Sequence, residues 1–130
     1  MKIKNEDQRK VAVIIGHPGH ELRVFKFIKE FKPDVFILTD GSGSTNQSRI
    51  HQTIKILDSL GSNYNLLFKP FADRELYNII LESKVDELLN IKKLLINEFL
   101  NKQYDFVLGD ALEGFNPTHD LCRYLINAVR

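Results

Sequence analysis

The chain has 130 residues, of which 43% are hydrophobic and 27% are charged, and its formal net charge is +1. This length and composition are typical of a single globular domain over residues 1–130, and the near-zero charge gives no indication of nucleic acid or a membrane surface as a partner. Cys122 is the only cysteine, which excludes an internal disulfide. With a polar N-terminus and no long apolar run, this predicts a cytoplasmic protein.

Short β-branched runs alternate with amphipathic segments along the chain. In chain order, the pattern predicts a strand over 11–16, a helix over 21–31, a strand over 34–41, a helix over 48–60, a weaker strand over 65–68, helices over 73–82 and 85–100, a strand over 105–110 and a helix over 117–129. Gly61 is placed to end the second helix, and Asn116 is placed to cap the last one, with Pro117 in its first turn. This alternation predicts an α/β domain with a mostly parallel sheet.

Three of the four histidines follow predicted strands. His17 and His20 come after the first strand, and His119 comes after the last. In an open sheet of order 3-2-1-4 these two strands are neighbours, and ligands bind beyond their carboxyl ends. Three imidazoles and an open position form a common catalytic zinc site, so the residues alone predict a metal site at this edge.

Two motifs resemble those of a known family. The segment HPGHE (17–21) resembles the H-P-D-D-E motif of the PIG-L/LmbE family of zinc-dependent de-N-acetylases, and NPTHD (116–120) resembles that family's downstream H-P-D-H motif. LTDGSG (38–43), with Arg49 after it, is similar to the family's segment after its second strand. The resemblance implies a Rossmann-like, three-layer domain, and a chain that is short for the family and truncated or minimal at its C-terminus.

The resemblance also implies roles for individual residues. His17 and His119 match metal ligands, and His20 stands where the family has a ligating aspartate. Gly19 replaces the aspartate that serves as general base, and Asn116 replaces a histidine that stabilises the oxyanion or acts as an acid. The implied activity is hydrolysis of an N-acetyl or related amide group by a zinc-bound water, on a small molecule such as an N-acetylated sugar derivative.

Other polar residues are candidates for the remaining tasks. Asp110 leaves the last strand at the predicted crevice and is the preferred group for proton transfer or for supporting a ligand. Glu21, Glu113 and Asp120 are further candidates for proton transfer, and Asp120 and Arg49 are candidates for substrate binding.

Three alternatives remain open. The HPGHE segment could be a simple turn from strand to helix. A nucleotide-binding domain would need a G-x-G-x-x-G fingerprint, of which only Gly16 and Gly19 are present. A non-catalytic relative could keep the fold and the metal and act by binding a partner. In each case an exposed sheet edge at the short C-terminus would allow a homo-oligomer.

Overall fold

The computed structural model describes residues 9–65 and 70–129. The strands are β1 (Val11–Ile15), β2 (Asp34–Ile37), β3 (Asn63–Tyr64) and β4 (Phe106–Gly109). The helices are a 3₁₀ helix (His20–Val24), α1 (Phe25–Phe31), α2 (Ile50–Leu60), α3 (Asp73–Leu81), α4 (Val85–Lys102) and α5 (Pro117–Val129). Among the described helices, none has the length and apolar content needed to cross a membrane.

All four strands are parallel, and their order is β3-β2-β1-β4. The predicted α/β fold with strand order 3-2-1-4 is therefore confirmed, and the domain is Rossmann-like. After β3 the chain crosses to the other side of β1 to form β4, so the strand order reverses between β1 and β4. The carboxyl ends of these two strands flank the crevice where such folds bind ligands.

The sheet is covered on both faces, which makes three layers. Alternate residues of β1 point to opposite sides: Ala12 and Ile14 pack with α3, α4 and α5, whereas Val13 and Ile15 pack with α1 and α2. Because both faces are buried, the strands are continuous apolar runs. This pattern made β1 and β2 recognisable in the sequence.

The boundaries of the elements follow the sequence signals with local differences. Gly61 ends α2 in the left-handed conformation, with φ 70°, as predicted. The helix predicted over 21–31 begins as the 3₁₀ helix and becomes α-helical at Phe25. Of the strand predicted over 65–68, residues 66–68 lie outside the described residues. The short β3 lies just before it, and a further bridge joins Thr39 to Phe71.

Candidate functional site

Three imidazoles meet at the carboxyl edge of the sheet. The ring centroids of His17 and His20 are 5.4 Å apart, those of His17 and His119 are 4.9 Å apart, and those of His20 and His119 are 4.6 Å apart. Each pair is arranged edge to face. Two of the rings come from the turn after β1, and the third comes from the first turn of α5. The fold thus brings together all three histidines that the sequence singled out.

The hydrogen bonds of His17 determine which of its ring nitrogens carries the proton. Its Nδ1 lies 2.7 Å from Oγ1 of Thr39 and 3.3 Å from a carboxylate oxygen of Asp73. The Thr39 hydroxyl donates to the carbonyl of Gly16 over 2.9 Å, so its oxygen accepts from the imidazole. The carboxylate is also an acceptor. Nδ1 of His17 therefore bears the hydrogen, and Nε2 keeps a lone pair.

His20 is held by Asp110, the residue that directly follows β4. Its Nδ1 lies 2.9 Å from both carboxylate oxygens, and one of these oxygens also accepts the N–H of Gly16 over 2.8 Å. Asp110 thus ties the end of β4 to the end of β1 and orients the ring between them. Because a carboxylate only accepts, Nδ1 of His20 donates, and in the neutral imidazole this leaves the lone pair on Nε2.

The third ring repeats this arrangement. Nδ1 of His119 lies 2.6 Å from Oε1 of Glu113, in the loop before α5. All three imidazoles therefore donate from Nδ1 to an acceptor, and no described hydrogen bond uses the Nε2 atom of any of them. A hydrogen bond from the non-ligating nitrogen to a carboxylate or another acceptor is the usual support of a metal-binding histidine.

The surroundings of the site change the pKa values of His17 and Asp110. Burial is the main cause that lowers the pKa of His17; the carboxylate of Asp73 opposes this shift, and the other two imidazoles add to it. Burial alone would raise the pKa of Asp110, but hydrogen bonds from His20 and from the Gly16 N–H leave that pKa below its usual value. Asp110 is therefore an anionic acceptor at neutral pH and a poor proton donor.

The donor atoms are not yet assembled around one point. Within residues 9–65 and 70–129, no three His, Cys, Asp or Glu side chains are already arranged as a set that could hold a metal ion. The distances between ring centroids are set mainly by the backbone, whereas ring orientation depends on a broad χ2 torsion that changes at little cost. Ligation of one ion by all three imidazoles would therefore require the rings to rotate about these torsions.

A cleft of about 700 Å³ opens beside the cluster. His17 and His20 line it, together with Pro18, Gly19 and the start of α5. Gly19 has φ 104°, a conformation that side-chain-bearing residues rarely adopt. The turn that presents the two histidines therefore requires glycine at this position.

The carboxylate of Glu21 is buried and hydrogen-bonded within the fold. Its side chain is 1% exposed, and its carboxylate accepts the Gly19 N–H over 2.6 Å and the Thr53 hydroxyl over 2.7 Å. It therefore braces the histidine turn against α2 and has no access to the cleft. The sequence made Glu21 a proton-transfer candidate because it matches the glutamate that closes the resembled motif. Its burial could not be foreseen, because it depends on Thr53, a distant residue.

The candidates near α5 have different surroundings. Asn116 lines the cleft, and its side-chain oxygen accepts the N–H of Thr118 over 2.9 Å, which is the predicted helix cap. This bond leaves the amide NH₂ available to a ligand. Asp120 instead accepts the backbone N–H groups of Glu113 and Gly114 and shapes the loop that carries Glu113. It is not among the residues that line the cleft.

Arg49 lines the cleft, as its predicted role in substrate binding requires. Four other charged or aromatic residues that line the cleft were not predicted from the sequence. Asp73, the acid that faces His17, lies at the start of α3 and reaches the site because the bridge between Thr39 and Phe71 extends the sheet. Only a correct placement of this bridge could have revealed it. The other missed residues are on the cleft wall: Arg23, Arg74 and Tyr77.

The chain was compared with models of protein families, with curated proteins and with solved structures, and none of these matches it. The case for a function therefore depends on the site itself.

Proposed function

We propose that this chain is a cytoplasmic metal-dependent hydrolase, similar to the PIG-L/LmbE de-N-acetylases, that holds zinc through His17, His20 and His119. Its substrate would be an N-acetylated sugar derivative or a related amide. The observation that carries the proposal is the cluster of three imidazoles, each with Nδ1 bonded to an acceptor and with no described hydrogen bond at Nε2.

The ring spacing supports this donor set. With Zn–N bonds of about 2.0–2.1 Å, three imidazoles around one tetrahedral ion have centroids about 5 Å apart. The observed separations of 4.6, 4.9 and 5.4 Å lie on either side of this value. Three imidazoles in contact gain little from each other at such a polar edge, so their convergence is better explained by a shared ligand.

Bound zinc would supply Lewis-acid polarisation of a carbonyl and a more acidic water molecule. The protein's contribution is orientation: Asp110 and Glu113 fix the tautomers of His20 and His119, and Thr39 with Asp73 does so for His17. In this proposal Asp110 is a positioning residue, since its carboxylate already accepts two hydrogen bonds.

Asn116 is the residue best placed to assist an amide substrate. Its oxygen caps α5, so its NH₂ group can donate to an oxygen on which negative charge develops. Removal of one such donor in other enzymes lowers kcat by about 10²–10³-fold. Asn116→Ala tests this role, and Asn116→Asp keeps the cap while removing the donor.

The test is release of acetate from N-acetylated amino sugars by the purified protein, with zinc added and with zinc chelated. Zinc-dependent release that is lost in His20→Ala, and kept in a variant of the exposed His51, His51→Ala, is the expected result. Absence of release with every substrate tested, from a protein that has bound zinc, would rule out the hydrolase.

One observation favours a second candidate, a metal-binding protein without catalysis. The carboxylates nearest the cluster, Asp73, Asp110 and Glu113, are each engaged with an imidazole, and Gly19 stands where the resembled family has its base. Among the described residues lining the cleft, no acid other than Asp73 is present. Zinc binding without hydrolysis would select this second function.

A further inference from the structure

The wall of the cleft carries a concentration of positive charge. Three arginines line it, Arg23 from the 3₁₀ helix, Arg49 from the start of α2 and Arg74 from the first turn of α3. Among the described residues that line the cleft, Asp73 is the only acid. The chain as a whole has a net charge of +1, so this concentration is local.

Arg49 is held in place by its own backbone environment. Its Nε donates to the carbonyl of Gly41 over 2.8 Å, and its backbone N–H donates to the carbonyl of Asp40 over 2.7 Å. A Cβ atom at Gly41 would lie 3.0 Å from Nε of Arg49 and 3.0 Å from Cδ of Pro18. Gly41 therefore allows the guanidinium to lie beside the histidine turn, with its terminal NH groups free of any described partner.

Arg23 and Arg74 are not neutralised by the protein. Both side chains are exposed, and neither forms a hydrogen bond or an ion pair with any residue in 9–65 or 70–129. The nearby carboxylate of Asp73 is occupied by His17 and by the N–H of Gly43, which it accepts over 2.9 Å. The described residues of the cleft thus give it a net positive charge beside the imidazoles.

We propose that Arg23 and Arg74, together with Arg49, bind an oxyanion group of the substrate, a phosphate or a carboxylate. The guanidinium fork matches the geometry of both groups, and their negative charge would be drawn into the cleft. The proposal deepens the proposed function, on which it rests for the identity of the site: the substrate is a small anionic molecule that also carries the amide. A cleft of about 700 Å³ accommodates such a molecule.

The test measures anion binding without metal, so that it does not depend on hydrolysis. Inorganic phosphate and succinate are titrated separately into chelator-treated protein at low ionic strength, and binding is followed by NMR shifts of the backbone amides of Gly43 and Ser44, which line the cleft. The variants are Arg23→Gln, Arg74→Gln and, as a control for the loss of one exposed positive charge, Lys55→Gln on α2.

Each arginine variant is expected to weaken binding of the preferred anion by roughly five- to tenfold, in line with the net loss of one hydrogen bond from a solvent-exposed side chain, and Lys55→Gln is expected to leave it unchanged. The tighter of the two probes identifies the group. Absence of binding by both probes, or equal weakening in Lys55→Gln, would overturn the proposal even if hydrolysis is found.

Discussion

The most informative single change is Asp110→Asn, because it alters one carboxylate by a single atom. The asparagine oxygen that accepts the Gly16 N–H would still lie 2.9 Å from Nδ1 of His20, but its NH₂ group would lie equally close on the other side. Nδ1–H of His20 would then face a donor beside its one remaining acceptor. His20 could relieve this clash by moving its proton to Nε2. The lone pair required of a ligand would then be lost.

These two contacts of Asp110 determine the expected losses of stability and of zinc affinity in the variant. The side chain of Asp110 is 9% exposed, so solvent compensates little. Loss of a hydrogen bond to a charged group costs about 1.5–3 kcal/mol in stability, and loss of the carboxylate behind a ligating histidine weakens metal binding about 10–100-fold. Stability is measured by urea denaturation of the metal-free protein, zinc affinity by competition with a chromophoric chelator, and the tautomer of His20 by ¹⁵N NMR.

Asp34→Asn is the matched control. Asp34 accepts the Tyr104 hydroxyl over 2.6 Å and the Asn63 amide over 3.1 Å, at the opposite end of the sheet from the histidines. The Asp34→Asn substitution should lower the free energy of unfolding and leave zinc affinity unchanged. Equal zinc affinity in wild type and Asp110→Asn, with Nδ1 of His20 still protonated, would refute the reasoning that Asp110 sets the ligand tautomer.

Three further predictions concern the supporting structure. Thr53→Val leaves a buried oxygen of Glu21 without its donor and should lower the free energy of unfolding by about 1–3 kcal/mol; a urea midpoint equal to that of wild type would contradict this. Gly19→Asp and Gly19→Ala should both destabilise by about 1–3 kcal/mol because φ is 104°, and equal stability of either variant with wild type would show that the turn tolerates side chains. Burial and the hydrogen bond to Asp34 raise the pKa of Tyr104, and this shift stabilises the fold below the unfolded-state pKa of about 10. The free energy of unfolding should therefore fall above that pH in wild type, and less steeply in Tyr104→Phe. Parallel pH profiles of the two proteins would argue against this.

The fold could be predicted from the sequence because its signals are local and consistent. Apolar runs such as Val11–Ile15 identify strands buried on both faces, and Gly61 and Asn116 mark helix ends through their backbone preferences. The order of the strands then follows from the common topology of such sheets. The strand order alone was enough to predict that the histidines lie close together, since they follow strands whose carboxyl ends are adjacent.

The supporting contacts could not be predicted because they join residues far apart in the chain. Asp73 reaches His17 only because Phe71 pairs with Thr39, and the sequence signal for a strand near this position falls on 65–68. Glu21 is a charged residue next to a histidine, and nothing local shows that Thr53 will bury it. Periodicity identifies which faces are apolar, but it does not assign hydrogen-bond partners to polar side chains.

The central claim, a zinc site formed by three histidines, is tested most directly by metal content. Purified protein is loaded with zinc, freed of excess by gel filtration and measured by inductively coupled plasma mass spectrometry, beside His20→Ala, His119→Ala and the control His51→Ala. About one zinc per chain in wild type and in His51→Ala, and a loss in the other two variants, is the predicted result. No zinc in wild type, or equal zinc in all four proteins, would contradict the account.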